Sequence, residues 1–100
     1  MNRTAIVTGG TRGIGRAISA RLSNDGYKVA ATYAGNDEAA ENCARDIGVT
    51  CFKFDVGDFD ACVEGIKKIE AELGPVDVLV NNAGITWDAP FHKMSKEAWD

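Results

Sequence analysis

The sequence predicts a doubly wound α/β fold, in which a parallel sheet carries helices on both faces. Strand and helix patterns alternate four times within 100 residues, and alternation at this spacing gives right-handed βαβ units. A glycine-rich turn, Gly9 to Gly15, joins the first predicted strand to the first predicted helix. Such folds bind ligands beyond the carboxyl ends of their strands, near the point where the strand order reverses.

The first strand and helix flank this turn. Thr4 to Thr8 is a short apolar run with β-branched residues, typical of a strand buried on both faces. The helix is predicted from about Ile14 to Asn24, with an apolar stripe formed by Ile14, Ile18 and Leu22. Gly26 supplies its left-handed cap.

Apolar spacing and turn residues delimit the remaining elements. The predicted strands are Tyr27 to Tyr33, Val49 to Phe54 and Val76 to Val80, and the predicted helices are Asp37 to Ile47 and a third, capped by Asp58, that runs to Leu73. A loop follows to Met94, and Ser95 is predicted to cap another helix.

The glycine turn has the composition of a phosphate-binding site. Glycine tolerates positive φ and lets backbone N–H groups approach a ligand closely, and a helix N-terminus behind it adds unpaired donors and partial positive charge. The spacing of Gly9, Gly13 and Gly15 is G-x-x-x-G-x-G, which differs from G-x-G-x-x-G, and no P-loop lysine follows. A tight turn without a ligand is the alternative.

Charge distribution supports an anionic ligand at the turn. The net charge of −4 argues against nucleic acid as a partner. Residues 1–24 nevertheless contain four arginines and no acid: Arg3, Arg12, Arg16 and Arg21. The alternative is that these arginines form an exposed basic helix face, and Arg21 is a candidate for such a solvent-facing residue.

Composition indicates one small globular domain and a cytoplasmic location. No apolar run approaches the ~20 residues of a membrane span, and no signal peptide is recognisable before the first strand. The three cysteines, Cys43, Cys51 and Cys62, fit free, buried or half-buried thiols. The single histidine, His92, excludes a multi-histidine metal site, so no metal is predicted.

The residues at the strand ends favour NADPH over NADH. An NAD site has an acid after the second strand, to bond the ribose 2′-hydroxyl, but Tyr33 stands here and the nearest acid is Asp37. Arg12 could pair with a 2′-phosphate, or it could be a solvated loop residue. Asp55, after the third strand, could accept from the adenine amino group or cap a turn.

Two asparagines end the fourth strand, where an unpaired amide would be costly. Asn81 and Asn82 must therefore bond backbone or ligand, and structural bonding is the interpretation for Asn81.

Three motifs in this order resemble those of the short-chain dehydrogenases/reductases: Thr8-Gly-Gly-Thr-Arg-Gly-Ile-Gly15, Asp55-Val56 and Asn81-Asn-Ala-Gly84. The resemblance covers nearly the whole chain and implies the N-terminal part of a single Rossmann-type dinucleotide-binding domain. Within the family, Asn82 to Asp88 and Phe91 to Asp100 resemble the acetoacetyl-CoA reductase group of polyhydroxybutyrate synthesis, and the 3-oxoacyl-(acyl carrier protein) reductases look almost as close.

The resemblance implies roles for individual residues. The pyrophosphate and adenosine side of NADPH would be held by Gly9, Thr11, Arg12, Gly13, Ile14 and Gly15, with Tyr33 at the second strand end; Asp55 and Val56 would flank adenine; and Asn82, Ala83, Gly84, Ile85 and Thr86 would line the nicotinamide side. Asp88 would contact the acyl substrate. The full enzyme would be a cytoplasmic homotetramer that acts on a small-molecule thioester.

The resemblance implies that the family's catalytic serine, asparagine and Tyr-x-x-x-Lys motif would all follow Asp100. Within this sequence, neither Tyr27 nor Tyr33 has a lysine four residues on. The chain is therefore expected to be inactive alone, as a fragment truncated before the catalytic segment. A non-catalytic nucleotide-binding module and an S-adenosylmethionine methyltransferase are the alternatives. An open fourth strand, with apolar residues partly uncovered, is expected to make the isolated chain associate.

Overall fold

The computed structural model describes residues 3–83, which form four strands and three helices. The elements are β1 (Thr4–Val7), α1 (Gly13–Asn24), β2 (Lys28–Tyr33), α2 (Asp37–Ile47), β3 (Thr50–Lys53), α3 (Phe59–Leu73) and β4 (Val76–Val80). The predicted order and type of these seven elements are confirmed. The helix predicted from Ser95 lies outside the described residues.

All four strands are parallel, in the order β3-β2-β1-β4. The chain therefore builds outward from β1 through β2 to β3 and then returns to the other side of β1 as β4. The strand order reverses between β1 and β4, so the segments that follow these two strands meet at the carboxyl edge of the sheet. This topology confirms the doubly wound fold class.

Helices cover both faces of the sheet. Ile6 and Phe52 pack with Ile66 and Ile69 of α3 on one face, where all four are buried or nearly so. Val7 and Ala31 pack on the other face with Cys43 of α2, and side chains of α1 complete that layer. Every residue of β1 is buried, as the apolar β-branched run predicts.

Two helices carry N-terminal side-chain caps, of which the one from Asp58 was predicted. Asn36 accepts a hydrogen bond from the amide of Ala39 at the start of α2, and Asp58 accepts one from Ala61 at the start of α3. Gly26 has φ of +96°, which confirms the left-handed residue after α1. No helix in residues 3–83 has the length and apolar character to cross a membrane.

Some predicted limits were wrong by a residue or two, since strand pairing ends before the apolar runs do. β1 stops at Val7, and β3 is shorter than predicted at both ends. The more informative error is Ile14, which was placed in the buried stripe of α1 but is 75% exposed. The first turn of α1 lies past the carboxyl end of β1, so only Ile18 and Leu22 reach the core.

The edge strand β4 is only partly covered. Within residues 3–83 it pairs with β1 alone, its valines are half-buried, and Leu79 is 38% exposed. We therefore expect the 100-residue chain to self-associate at micromolar concentration, and Leu79→Lys to reduce that association, because a charge on an edge strand opposes further pairing. Sedimentation velocity measures both. A monodisperse wild-type monomer that unfolds cooperatively would contradict this expectation.

The three cysteines are free thiols, as predicted, with Cys43 and Cys62 buried and Cys51 half-buried. Burial raises the pKa of Cys51 and of Cys62 from 9.0 to about 11. The unfolded chain therefore releases these protons at lower pH than the folded chain. Their contribution to stability is complete below pH 9 and is lost as the pH rises through about 11.

We expect the free energy of unfolding to fall between pH 9 and 11 by up to about 1.4 kcal/mol per pH unit for each thiol. Urea titrations of the wild-type chain and of a Cys51→Ala, Cys62→Ala double variant measure this slope. The double variant should show the shallower decline, since other alkaline titrations are common to both proteins. Equal slopes would show that the thiols make no such contribution.

Candidate functional site

The turn after β1 is fixed to both neighbouring strands. Gly9 has φ of +62°, a left-handed conformation that favours glycine. Its amide donates to the Thr32 hydroxyl at 3.4 Å, and the next amide, of Gly10, donates to the Thr32 carbonyl at 3.2 Å. From the β4 side, the Asn82 side-chain amide donates to the Gly9 carbonyl at 3.2 Å. These bonds hold the turn at the point where the strand order reverses.

Gly15 brings the first turn of α1 against this carbonyl. A methyl group added at Gly15 would overlap the Gly9 carbonyl oxygen and come within 2.6 Å of the Asn82 amide nitrogen. Behind the turn, the buried Ser19 hydroxyl lies 3.0 Å from the Gly10 carbonyl and 2.9 Å from the Gly15 carbonyl, so its single proton serves one or the other. Glycine is required at position 15 because the Gly9 carbonyl and the Asn82 side chain leave no room for a Cβ atom.

The N-terminus of α1 differs from those of α2 and α3. Arg12 occupies its cap position without a side-chain cap hydrogen bond, and no acid lies in its first turn. The helical ladder begins with the Arg16 amide donating to the Arg12 carbonyl at 3.1 Å, so the amides of Gly13, Ile14 and Gly15 precede it. Amides that precede the ladder and have no backbone partner among residues 3–83, together with the positive end of the helix dipole, make this terminus suited to an anion.

A cleft of about 530 Å³ opens beside the turn. Its lining comes from three segments, which follow β1, β2 and β4: Gly9, Thr11, Arg12, Tyr33, Ala34, Gly35, Asn36 and Asn82. The turn after β1 contributes one part of the wall and Tyr33 to Asn36 contribute another. The cleft therefore has the position that the fold predicts for a ligand.

Arg12 is the arginine of this region that is available to a ligand. Arg16 pairs with Asp46 at 3.1 Å, and Arg21, 80% exposed, pairs with Asp25 at 3.3 Å. Arg12 lines the cleft, is exposed, and forms no ion pair within residues 3–83. The four N-terminal arginines thus do not act as one basic patch. Among the described residues, Arg12 alone brings positive charge into the cleft.

The acid nearest the second strand end is already paired. Asp37 lies 3.1 Å from the Lys53 ammonium group. Lys53 holds the pKa of Asp37 below its ordinary value. Burial, followed by the charge of Asp37, raises the pKa of Tyr33, so its hydroxyl remains a donor at neutral pH. Asp37 does not line the cleft itself.

Asp55 and Val56 form the turn into α3. The Asp55 carboxylate accepts from the Gly57 amide at 2.8 Å, and its carbonyl accepts from the Asp58 amide at 3.1 Å. The Val56 carbonyl lies 3.4 Å from the Cys62 thiol, which donates to it. Of the two alternatives left open for Asp55, the structure contains the turn cap, and contact with adenine stays a prediction.

Thr8 ties the end of β1 to the segment after β4. Its buried hydroxyl lies 3.2 Å from the Asn81 side-chain oxygen and accepts from the Ala83 amide at 3.1 Å. Asn81 therefore has the structural bonding that the sequence indicated. Asn82 faces the cleft and bonds the turn backbone, so the two adjacent asparagines have different roles.

The structure brings part of the predicted site together. Of the predicted cofactor residues, those that line the cleft are Gly9, Thr11, Arg12, Tyr33 and Asn82, while Gly13, Ile14, Gly15, Asp55, Val56 and Ala83 do not line it. Gly84, Ile85, Thr86 and Asp88 lie outside the described residues. The prediction missed Gly35 and Asn36 as lining residues; their place in the turn after the second strand was the available signal.

A parallel α/β sheet with a glycine turn, an uncapped helix N-terminus and a cleft at its switch point is characteristic of dinucleotide-binding domains. The family model described as short chain dehydrogenase matches residues 3–100. The chain belongs to this family.

Curated relatives of two kinds match the whole chain. It is 61% identical over 100 residues to the acetoacetyl-CoA reductase of Shinella zoogloeoides, and covers 42% of that protein. It is 45% identical over 105 residues to the 3-oxoacyl-(acyl-carrier-protein) reductase FabG of Staphylococcus epidermidis, and covers 43% of it. The chain thus spans less than half the length of the curated relatives it matches.

A solved structure agrees with the fold. The blue fluorescent protein from a metagenomic library, crystallised in complex with NADPH, is 38% identical, with a TM-score of 0.76. The match covers 85% of this chain and 37% of that one.

Proposed function

We propose that this chain is the N-terminal, cofactor-binding part of an NADPH-dependent reductase of 3-oxoacyl thioesters. The full reaction would be reduction of the 3-keto group of acetoacetyl-CoA to 3-hydroxybutyryl-CoA. The observation that carries the proposal is the cleft beside the uncapped N-terminus of α1, where Gly15 permits an approach that no other residue allows.

The residues present fit the cofactor. The backbone from Gly9 to Gly15 would hold the diphosphate, because its leading helical amides precede the hydrogen-bond ladder and no acidic side chain occupies the first turn. Tyr33 and Asn36 would border the adenosine, and Asn82 would border the nicotinamide side. Asp55, Val56 and Ala83, and Gly84, Ile85 and Thr86 further on, complete the predicted cofactor set.

Charge favours NADPH over NADH. An acid that bonds the ribose 2′-hydroxyl would repel a 2′-phosphate, and none lines the cleft in the described part of the chain. Arg12 lines it without an ion pair of its own there, which leaves the guanidinium group free to pair with a phosphate.

The chain contributes binding and orientation to this reaction. NADPH, when bound, supplies a hydride for carbonyl reduction. The family resemblance assigns proton transfer to a serine and a Tyr-x-x-x-Lys motif, which this sequence lacks, and substrate contact to Asp88. We propose that residues 1–100 belong to one dinucleotide-binding domain of a cytoplasmic homotetramer, with those catalytic groups supplied by further sequence.

Two other functions differ from the proposed one in the thioester that they would reduce. The 3-oxoacyl-(acyl carrier protein) reductases are supported by 45% identity, against 61% for the acetoacetyl-CoA enzyme. A non-catalytic nucleotide-binding module would bind NADPH and reduce neither thioester. The identity over all 100 residues favours the CoA thioester.

A chimera tests the proposal. These 100 residues would replace the matching segment of the Shinella zoogloeoides reductase, which supplies the rest of the enzyme. We expect the chimera to oxidise NADPH in the presence of acetoacetyl-CoA, while the 100-residue chain alone binds NADPH and oxidises none. A folded chimera that binds no NADPH would contradict the proposal. One that binds NADPH but reduces only the carrier-protein thioester would support the alternative enzyme.

A further inference from the structure

The ion pair beside the cleft has no role in the proposed function. Lys53 lies 3.1 Å and 3.3 Å from the two carboxylate oxygens of Asp37. The strand register creates this contact: Tyr33 and Lys53 are partners in the β2–β3 ladder, and Asp37 opens α2 directly after the connecting turn. The register therefore brings Lys53 to Tyr33 and Asp37, which are close to each other in sequence, and the three residues form one cluster.

This cluster lies against the wall of the cleft that would receive the adenosine. Tyr33, the ladder partner of Lys53, lines the cleft, and Asn36, the neighbour of Asp37 in sequence, lines the cleft as well. Without Lys53, an ionised carboxylate would stand beside this wall uncompensated. A phosphate group there would be repelled, since unit charges closer than the Debye length of about 8 Å interact at physiological salt.

Given the NADPH proposal, on which this inference rests, we propose that Lys53 is a specificity-determining residue that acts through Asp37. It neutralises the carboxylate next to Tyr33 and so permits a 2′-phosphorylated ribose at this wall. Lys53 itself need not touch the cofactor. The competing explanation is an ordinary surface ion pair, since the two side chains are 51% and 60% exposed, and such pairs add little to stability.

The two explanations differ in what Lys53→Gln changes. We expect Lys53→Gln to weaken NADPH binding by about 3- to 10-fold and NADH binding by less than about 2-fold, because only NADPH carries the additional phosphate. Asp37→Asn added to Lys53→Gln should restore NADPH affinity, and Lys53→Arg should retain it. Lys67→Gln removes an equal charge from α3, on the opposite face of the sheet, and serves as the control.

Fluorescence titrations of the chimera and of the 100-residue chain with NADPH and with NADH measure these affinities. The defect of Lys53→Gln should shrink near 1 M salt, where the Debye length is about 3 Å, while a packing defect would persist. Wild-type preference for NADPH that Lys53→Gln leaves unchanged would overturn this inference and leave the proposed function standing. Absence of that preference in the wild type would refute the cofactor proposal itself.

Asp37→Asn alone decides the matter if Lys53→Gln does not fold. It removes the charge that Lys53 neutralises, so NADPH affinity should be kept or increased. A selective loss of NADPH binding in Asp37→Asn would overturn the inference, since the carboxylate would then assist the phosphate.

Discussion

Gly15→Ala is expected to abolish NADPH binding, with a loss of affinity of at least about 100-fold, and to destabilise the fold by about 1–3 kcal/mol. The added methyl group would overlap the Gly9 carbonyl oxygen and press on the Asn82 amide. Either the turn or the first turn of α1 must then move, and the amides that would hold the diphosphate move with it. Isothermal titration with NADPH and urea unfolding measure the two effects.

Gly48→Ala is the control that separates a loss of stability at a glycine from a change in the geometry of the binding site. Gly48 has positive φ, at +70°, which Gly15 does not, so alanine is strained at Gly48; a methyl group there meets no atom of the described residues within 4 Å, and the residue caps α2 away from the cleft. We expect this variant to lose about 1 kcal/mol of stability and to keep wild-type affinity for NADPH. If folded Gly15→Ala bound NADPH as well as Gly48→Ala does, the turn would not be the diphosphate site.

Arg12→Gln is expected to weaken NADPH binding by about 10- to 100-fold, the range of one hydrogen bond to a charged group. NADH affinity should change much less, because that cofactor lacks the 2′-phosphate. Arg12 makes no ion pair in the structure as described, so its loss should leave the free energy of unfolding nearly unchanged. Parallel titrations with the two cofactors measure the selectivity.

Arg21→Gln is the matched control for this substitution. Arg21 lies in the last turn of α1, is 80% exposed and pairs with Asp25, so its removal changes the net charge equally and leaves the cleft intact. Both affinities should stay at wild-type values. An equal fall in NADPH and NADH affinity in Arg12→Gln would mean that Arg12 contacts a group common to both cofactors, and the assignment to the 2′-phosphate would be wrong.

Local chemistry made most of the fold predictable. β-branched runs between turn residues identified the strands. Asp58 caps α3 through its carboxylate and Gly26 follows α1 in a left-handed conformation, both as predicted. Ile14 was misplaced because a four-residue repeat shows which residues share a face, and leaves open how far the helix extends beyond the sheet.

The site was less predictable than the fold because its contacts are distant in sequence. Spacing identified the glycine turn, but the bond from Asn82 to Gly9 depends on β4 pairing beside β1. The partnership of Lys53 with Asp37 depends likewise on the register between β2 and β3. From sequence alone, Asp37 could be judged only by its distance along the chain from Tyr33.

A crystal structure of this chain grown with NADPH tests the central claim most directly. The claim predicts diphosphate oxygens about 2.7–3.2 Å from backbone nitrogens between Gly9 and Gly15, in front of the N-terminus of α1. A cofactor bound elsewhere, with this turn empty or filled by a neighbouring side chain, would contradict it.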